Sequence, residues 1–264
     1  MITHLAGADI AYDDVGSGIP VVLLHAFPLD RTMWAPQLGA LVANARCIAP
    51  DFRGMGCSSV VGPFSMDRYA DDTVGVLDAL RIDRAVVVGL SMGGYVAFNL
   101  FHRHRARVRA LVLSDTRAAA DTPEGLERRE VLIETARTNG STAVAALQLD
   151  GLIGKTTRRR HPDVVDAIHA RMTLAPVEGV IGALQAMMRR PDSTALLGSI
   201  DAPTLIIVGE EDVVTPPKEA RAMHDAIRGS RLEVIEKAGH LSNIERPAAF
   251  NTVVSEFLGG LLYH

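Results

Sequence analysis

The chain has 264 residues, 48% of them hydrophobic and 22% charged, which excludes a disordered polymer and is enough for one large domain with an insertion. Its formal net charge of −4 creates no global positive field, so we expect no nucleic-acid or anionic-lipid partner. Its apolar runs fall far short of the roughly 20 residues that cross a bilayer, so no membrane association is predicted.

Short apolar runs recur along the chain and predict the strands of a sheet. The runs are continuous rather than alternating, which is typical of parallel strands buried on both faces. Strands are predicted at 21–24, 46–49, 85–88, 108–113, 204–208 and 232–236. Helix-like segments separate several of them, so the chain is predicted to form a right-handed α/β sheet with helices on both sides. Functional residues are then expected directly after the strands, at their carboxyl ends.

The best-defined helix of this pattern is predicted at 65–80. Apolar residues such as Ala70, Val74 and Leu77 recur at helical spacing on one face. Ser65 has the side chain that commonly caps a helix start.

The alternation of strands and helices stops after Asp115. Between 117 and 200 there is no strong strand pattern, and proline follows Thr122 and His161 where helices are expected to begin. An apolar stripe that includes Val180 and Leu184 must pack against another part of the molecule. We interpret this segment as a helical lid over the sheet; the alternative is a satellite bundle packed elsewhere.

The sharpest motif is Gly-Leu-Ser-Met-Gly at 89–93, which lies between a predicted strand and a helical run. A G-x-S-x-G sequence in this context predicts a sharp strand-to-helix turn that exposes its serine. Small residues are required at Gly89 and Gly93 because the turn leaves no space for side chains. Ser91 is therefore the candidate nucleophile, close to a helix N-terminus that favours developing negative charge.

A serine nucleophile needs a base and an orienting acid, and both types of residue follow later strands. His240 comes after a glycine turn that follows the strand at 232–236, and it is the candidate base. Asp212 follows the strand at 204–208 and is the preferred acid. The alternative acids are Asp115, Glu210 and Glu211, which also follow strands.

Five segments together resemble the α/β-hydrolase superfamily over nearly the whole chain. They are 25–28 (His-Ala-Phe-Pro), 51–58 (Asp-Phe-Arg-Gly-Met-Gly-Cys-Ser), the turn around Ser91, 209–212 (Gly-Glu-Glu-Asp) and 238–240 (Ala-Gly-His). The order nucleophile, acid, base also matches that family. The resemblance implies an α/β-hydrolase fold, with a mostly parallel central sheet flanked by helices and a helical cap inserted after strand 6. It divides the chain into a core at 1–116 and 201–264 and a cap at 117–200.

The same resemblance implies an oxyanion hole made by the backbone N–H groups of Phe27 and Met92. One residue departs from the family pattern, because Ala26 stands where glycine is usual and alanine has less conformational freedom. His25 also follows a strand, and its ring is expected to be a hydrogen-bonded scaffold element rather than the base.

The predicted function is a serine hydrolase that cleaves a small carboxylic ester or lactone, without a cofactor or metal, through an acyl-enzyme. Ser91 argues against dehalogenases and epoxide hydrolases, which have aspartate at that position, and the likeness is to enol-lactonases and small carboxylesterases. The alternatives are a cofactor-free perhydrolase or a carbon–carbon bond hydrolase with the same catalytic residues, and a non-catalytic ligand-binding receptor. The natural substrate and the oligomeric state are left open.

Several weaker signals are interpreted as structural. Gly154-Lys155-Thr156 resembles the end of a P-loop, but the required earlier glycine is missing, so nucleotide binding is not predicted. Two arginine-rich segments, 103–109 and 158–160, are expected to be solvated surface. Met33 and Trp34 either line the pocket or pack in the core.

Two cysteines, Cys47 and Cys57, cannot form a disulfide framework and have no metal-binding spacing. The N-terminal segment is acidic rather than basic and apolar, so no export signal is predicted. We therefore expect a cytoplasmic protein with reduced thiols.

Overall fold

A computed structural model describes residues 1–261 of the chain. Eight strands form one sheet in the order β1-β2-β4-β3-β5-β6-β7-β8. The strands are β1 (Ile2–Leu5), β2 (Ala8–Gly16), β3 (Ile19–Leu24), β4 (Ala45–Pro50), β5 (Ala85–Leu90), β6 (Val108–Ser114), β7 (Thr204–Gly209) and β8 (Arg231–Ile235). From β4 to β8 all neighbouring strands pair in parallel, so their carboxyl ends meet at one edge. The six predicted strands are confirmed with small differences at their ends.

The first two strands, β1 and β2, were not predicted, and they pair antiparallel with each other and with β4. The prediction relied on continuous apolar runs, whereas β2 is buried at one end and exposed at the other. Its acidic residues are satisfied at the surface; Asp14, for example, pairs with Arg46 of β4 at 2.7 Å. A strand with this mixed burial lacks the continuous apolar pattern of a strand that is buried on both faces.

Helices cover both faces of the sheet and fill the segment between β6 and β7. They are α1 (Ala35–Leu41), α2 (Met66–Ala79), α3 (Met92–His104), α4 (Pro123–Leu152), α5 (Lys155–Arg160), α6 (Pro162–Met172), α7 (Val177–Met188), α8 (Thr194–Leu197), α9 (Pro217–Ala226), α10 (Ser242–Glu245) and α11 (Pro247–Gly260). The predicted cap is confirmed, because Ser65 accepts from the N–H of Arg68 at the start of α2. Helix α4 begins at Pro123, as predicted, and there the Thr122 side chain accepts from the N–H of Gly125.

The strands separate two hydrophobic clusters because successive side chains point to opposite faces. In β5, Val87 belongs to one cluster, and Val86 and Val88 belong to the other. All six residues of β5 are buried, which is the pattern of a central parallel strand.

Helices α4 to α8 form an insertion after β6, as predicted. Its helix α7 packs on the loop that follows β4, because a Cβ atom built at Gly179 would lie 1.7 Å from the backbone oxygen of Gly54. Val180 and Leu184, from the predicted apolar stripe, are fully buried. The insertion therefore packs against a loop at the carboxyl edge of the sheet, which is the arrangement expected of a lid rather than of a bundle packed elsewhere.

No helix within residues 1–261 combines the length and apolar character needed to cross a bilayer.

Candidate active site

Ser91 lies between β5 and α3 with a φ of 54° and a ψ of −112°. A positive φ is uncommon for a residue with a side chain, and here the hydrogen bonds around the turn maintain it. The N–H of Ser91 donates to the carbonyl of Ser114 at 2.9 Å, and its own carbonyl accepts from the Thr116 hydroxyl at 2.9 Å. Both partners lie at the end of β6, so the neighbouring strand fixes the serine.

The predicted need for glycine at this turn agrees with the local packing. A Cβ atom at Gly89 would lie 2.3 Å from the backbone oxygen of Gly93. One at Gly93 would lie 2.1 Å from the backbone oxygen of Leu24 in β3. The two glycines therefore let α3 start directly against the sheet. The Ser91 side chain points away from this close contact.

Three residues that are far apart in the sequence form a continuous hydrogen-bonded series at the carboxyl edge. The Ser91 Oγ lies 2.7 Å from the Nε2 of His240. The Nδ1 of His240 lies 2.8 Å from the Oδ2 of Asp212. A proton on Nδ1 donates to the carboxylate and leaves Nε2 free to accept from the Ser91 hydroxyl.

Asp212 is held by the loop that follows β7. Its Oδ1 accepts from the N–H groups of Val214 at 2.8 Å and Thr215 at 3.0 Å. Its Oδ2 accepts from the Thr215 hydroxyl at 2.8 Å in addition to contacting the imidazole. Sequence reasoning missed Thr215, because a threonine in a loop has no signal until its aspartate partner is known.

The three alternative acids form hydrogen bonds with other groups. Asp115 accepts from the N–H of Gly209 at 2.8 Å and from the hydroxyls of two serines, Ser114 and Ser242. Glu210 accepts from the N–H of Lys237 at 3.0 Å. Glu211 accepts from the N–H of Thr156 at 2.8 Å. Of the four candidates, Asp212 is the one whose carboxylate contacts the His240 ring.

Burial and charge set the ionisation of this group. Burial favours the neutral forms of both His240 and Asp212, but their mutual attraction and hydrogen bond outweigh it. As a result the pKa of His240 is raised above 6.5 and that of Asp212 is lowered. Burial, followed by the charge of Asp212, raises the pKa of Asp115 to about 7. A second buried carboxyl group thus lies near the imidazole without touching it.

The loop after β3 presents the predicted oxyanion donor, Phe27. The His25 ring braces this loop: its Nδ1 donates to the carbonyl of Ala26 at 2.9 Å, and its Nε2 accepts from the N–H of Phe52 at 3.0 Å. Burial lowers the pKa of His25, which agrees with a neutral ring in this position. The expectation that His25 is a scaffold element therefore agrees with its contacts.

The two predicted oxyanion donors, Phe27 and Met92, have backbone N–H groups with no acceptor within residues 1–261. Met92 is the first residue of α3, where N–H groups have no partner in a preceding turn. Ala26 does not have a positive φ, so an alanine in the usual glycine position introduces no backbone strain.

Glu245 of α10 clamps the backbone around His240, and sequence reasoning missed it. Its Oε1 accepts from the N–H groups of Gly239 at 3.0 Å and Leu241 at 3.3 Å, the two neighbours of His240. Its Oε2 accepts from the N–H of Gly154 at 3.0 Å, which belongs to the insertion. A buried carboxylate five residues after the histidine thus joins the histidine loop to the insertion.

The weaker motifs have structural roles. The segment that resembles the end of a P-loop lies at the start of α5, and its N–H groups bind carboxylates of the protein. Glu211 accepts from the N–H of Thr156, and Glu245 accepts from that of Gly154. Trp34 is fully buried in the core, 6.3 Å from the ring of Phe250, so core packing explains it.

Acidic partners surround the first arginine-rich segment. Arg103 pairs with Asp71 at 2.9 Å, and Arg107 pairs with Asp78 at 2.7 Å. These ion pairs fit the predicted solvated surface. Within residues 1–261, no group of three or more histidine, cysteine or acidic side chains is arranged to hold a metal ion.

The family model described as alpha/beta hydrolase fold matches residues 19–247. The chain belongs to this family. The predicted fold is therefore confirmed, and the matched segment includes all three residues of the hydrogen-bonded series.

Individual relatives cover almost the whole chain. A 3-oxoadipate enol-lactonase of Acinetobacter baylyi is 31% identical, and the match covers 98% of this chain and 96% of that protein. A thermophilic esterase from Thermogutta terrifontis, solved with malate bound, has a TM-score of 0.94 at 41% identity, covering 98% of this chain and 97% of that one. An enol-lactonase from Burkholderia xenovorans has a TM-score of 0.91 at 31% identity. The match covers 98% of this chain and 100% of that one.

Proposed function

We propose that the protein is a serine hydrolase that cleaves small carboxylic esters or lactones through an acyl-enzyme. The observation that carries this proposal is the series of hydrogen bonds from Ser91 through His240 to Asp212, with distances of 2.7 and 2.8 Å. The family supports hydrolysis in general. Relatives named enol-lactonase and esterase support carboxylic esters and lactones as the substrate class.

In the first step the Ser91 Oγ attacks the substrate carbonyl carbon while His240 Nε2 accepts the serine proton. The carbonyl π bond opens, and the negative charge on its oxygen is stabilised by the N–H groups of Phe27 and Met92. Loss of one such donor typically costs about 2.7–4 kcal/mol of transition-state stabilisation. His240 then gives its proton to the leaving alkoxide, which departs as an alcohol.

In the second step water attacks the acyl-enzyme, and His240 accepts a proton from the water. The bond between the acyl carbon and Ser91 Oγ breaks, and the proton returns to the serine. Asp212 keeps the proton of the neutral imidazole on Nδ1 and stabilises the imidazolium that forms in each step. In a lactone the alcohol and the acid are parts of one product.

The insertion at 117–200 serves as a cap over this site, and its packing on the loop after β4 supports that role. The core domain is then formed by 1–116 and 201–264. A cap excludes bulk water, which strengthens the electrostatic interactions in the site.

The direct test of the function is release of p-nitrophenolate from a short acyl ester by wild-type and Ser91→Ala protein. We expect a decrease in kcat of about 10⁴-fold or more, because the nucleophile is lost while the fold is kept. Ser255→Ala is the matched control, since this serine is exposed to solvent on α11 and is not in the hydrogen-bonded series. Unchanged turnover in the Ser91 variant would refute the proposal. Parallel assays with hydrogen peroxide as acyl acceptor and with a diketone identify perhydrolase or carbon–carbon hydrolase activity.

A further inference from the structure

A cavity of about 540 Å³ lies between the insertion and the loops that follow β6 and β7. This volume is within the range of small-molecule sites, roughly 300–1,000 Å³. Arg117, which contributes to its lining, directly follows Thr116, whose hydroxyl donates to the carbonyl of Ser91. Val214 lines it from the other loop and donates its N–H to Asp212. The cavity is therefore lined by residues of the same two loops that hold Ser91 and Asp212.

Positive charge dominates the lining of this cavity. Three arginines, Arg117, Arg128 and Arg129, contribute to the lining, and the single acidic residue there is Asp121. Arg128 makes no ion pair within residues 1–261. The nearest acids that precede it on α4 are Glu127 and Glu124, which are both exposed to solvent and do not line the cavity.

The one carboxylate of the cavity is already shared by three cations. Asp121 accepts from Arg117 at 2.8 Å and from Arg129 at 2.6 Å, and Arg190 pairs with it at 2.8 Å. Burial opposes its ionisation, but the hydrogen bonds from Arg129 and Arg190 hold the pKa of Asp121 far below its usual range. One negative charge cannot neutralise three guanidinium groups, so the lining keeps a net positive charge.

Two side chains of the lining also have buried polar atoms without a partner. Within residues 1–261, these atoms are the Nε of Arg117 and the Oε1 of Gln148. Buried polar groups in folded proteins are normally hydrogen-bonded. The guanidinium of Arg117 therefore has a donor that its bond to Asp121 does not use.

The other side of the cavity is apolar and unusually open to solvent. Leu147, Val213 and Val214 are 60%, 70% and 41% exposed, respectively. Large exposed apolar side chains that surround a cavity are typical of a ligand site. An aliphatic chain that ends in an anion would match both sides of this lining.

We propose that the cavity binds a carboxylate on the acyl group of the substrate, beyond a short aliphatic spacer, with Arg117 and Arg128 as its donors. This inference rests on the proposed ester or lactone hydrolysis. It restricts the substrates to anionic esters or lactones and assigns their recognition to residues outside the catalytic series.

The test compares two esters that differ in charge but have acyl chains of equal length, mono-p-nitrophenyl glutarate and p-nitrophenyl pentanoate. For wild-type protein we expect kcat/KM to be at least about tenfold higher for the glutarate. Arg128→Gln, at an exposed position, and Arg117→Gln should each reduce the ratio of the two kcat/KM values by about tenfold. Arg137→Gln is the control, since it removes the same charge from α4 outside the cavity.

The outcomes separate this inference from the function on which it rests. If both esters are hydrolysed at equal kcat/KM and both reactions need Ser91, the proposed carboxylate site is wrong but the hydrolase proposal stands. An unchanged ratio in the Arg128 and Arg117 variants would also overturn it. If Ser91→Ala releases p-nitrophenolate as fast as wild type does, the hydrolase proposal fails whatever the ratio is.

Discussion

The carboxyl edge of the sheet and the helical insertion face each other across one cavity, but they are held in different ways. At the sheet edge, hydrogen bonds within and between the loops hold the side chains, and the bond from the Ser91 N–H to the carbonyl of Ser114 is one example. In the insertion, side-chain ion pairs such as Arg129 to Asp121 connect the helix to the loop before it. We infer from this comparison that the proposed chemistry depends on local turns, whereas the proposed substrate choice depends on packing between the insertion and distant loops.

The largest effect is expected from a change at the sheet edge, Asp212→Asn. An amide in this position no longer stabilises the imidazolium and favours the wrong tautomer of His240, so kcat should decrease by about 10⁴-fold. Substrate affinity should change little. Steady-state kinetics measure both quantities. Asp115→Asn is the matched control for loss of a buried carboxylate, and an equal decrease in that variant would contradict the assignment of the acid.

A smaller effect on turnover is expected from Glu245→Gln. The amide replaces one carboxylate oxygen with a hydrogen-bond donor that faces other donors, so the backbone on both sides of His240 loses support. We expect kcat to decrease by about tenfold, with KM nearly unchanged. Glu256→Gln, in an exposed ion pair, should have no effect. A change in KM alone would show that Glu245 acts on binding rather than on the base.

A shift in pH dependence should separate the two buried aspartates. His240 must be neutral to accept the serine proton, and its pKa lies above 6.5, so kcat/KM should decrease as the pH falls through that raised value. Because the charge of Asp115 contributes to raising this pKa, Asp115→Asn should move the acid limb to lower pH. A pH–rate profile of both proteins tests this. An acid limb that moves to higher pH would contradict the assigned coupling.

The smallest effect on catalysis is expected from a change inside the insertion, Gly140→Ala. Gly140 kinks α4 with a φ of 75° and a ψ of −178°, a conformation that is essentially restricted to glycine. We expect the free energy of unfolding to decrease by about 1–3 kcal/mol while ester turnover stays close to wild type. Denaturant titration measures the stability.

Gly198→Ala provides the control for this change. Gly198 has a negative φ of −66° and open space around its Cα, so alanine fits without strain. If the Gly140→Ala and Gly198→Ala proteins have the same free energy of unfolding, the backbone conformation at the kink does not require glycine.

The sheet and the candidate nucleophile could be predicted because their signals are local. A strand buried on both faces has a continuous apolar sequence, and the turn at Ser91 requires glycine on both sides within five residues. His240 and Asp212 were found because each follows a strand of the same sheet. The antiparallel strands β1 and β2 lack a continuous apolar pattern, and for that reason they were missed.

Residues that act through long-range contacts could not be found in this way. Glu245 acquires its role only when α10 packs under the histidine loop and against Gly154, 91 residues earlier. The arginines of the cavity belong to no motif that the sequence analysis singled out. Only the packing of α4 against the loops after β6 and β7 brings Arg117, Arg128 and Val214 around one space.

The central claim is that Ser91 is a nucleophile activated by His240. Treatment with a fluorophosphonate, followed by proteolysis and mass spectrometry, tests this claim most directly. The claim predicts one phosphonyl adduct on the peptide that contains Ser91, formed with loss of fluoride, and much slower labelling in His240→Ala. Labelling of another residue, or equal labelling without the imidazole, would contradict it.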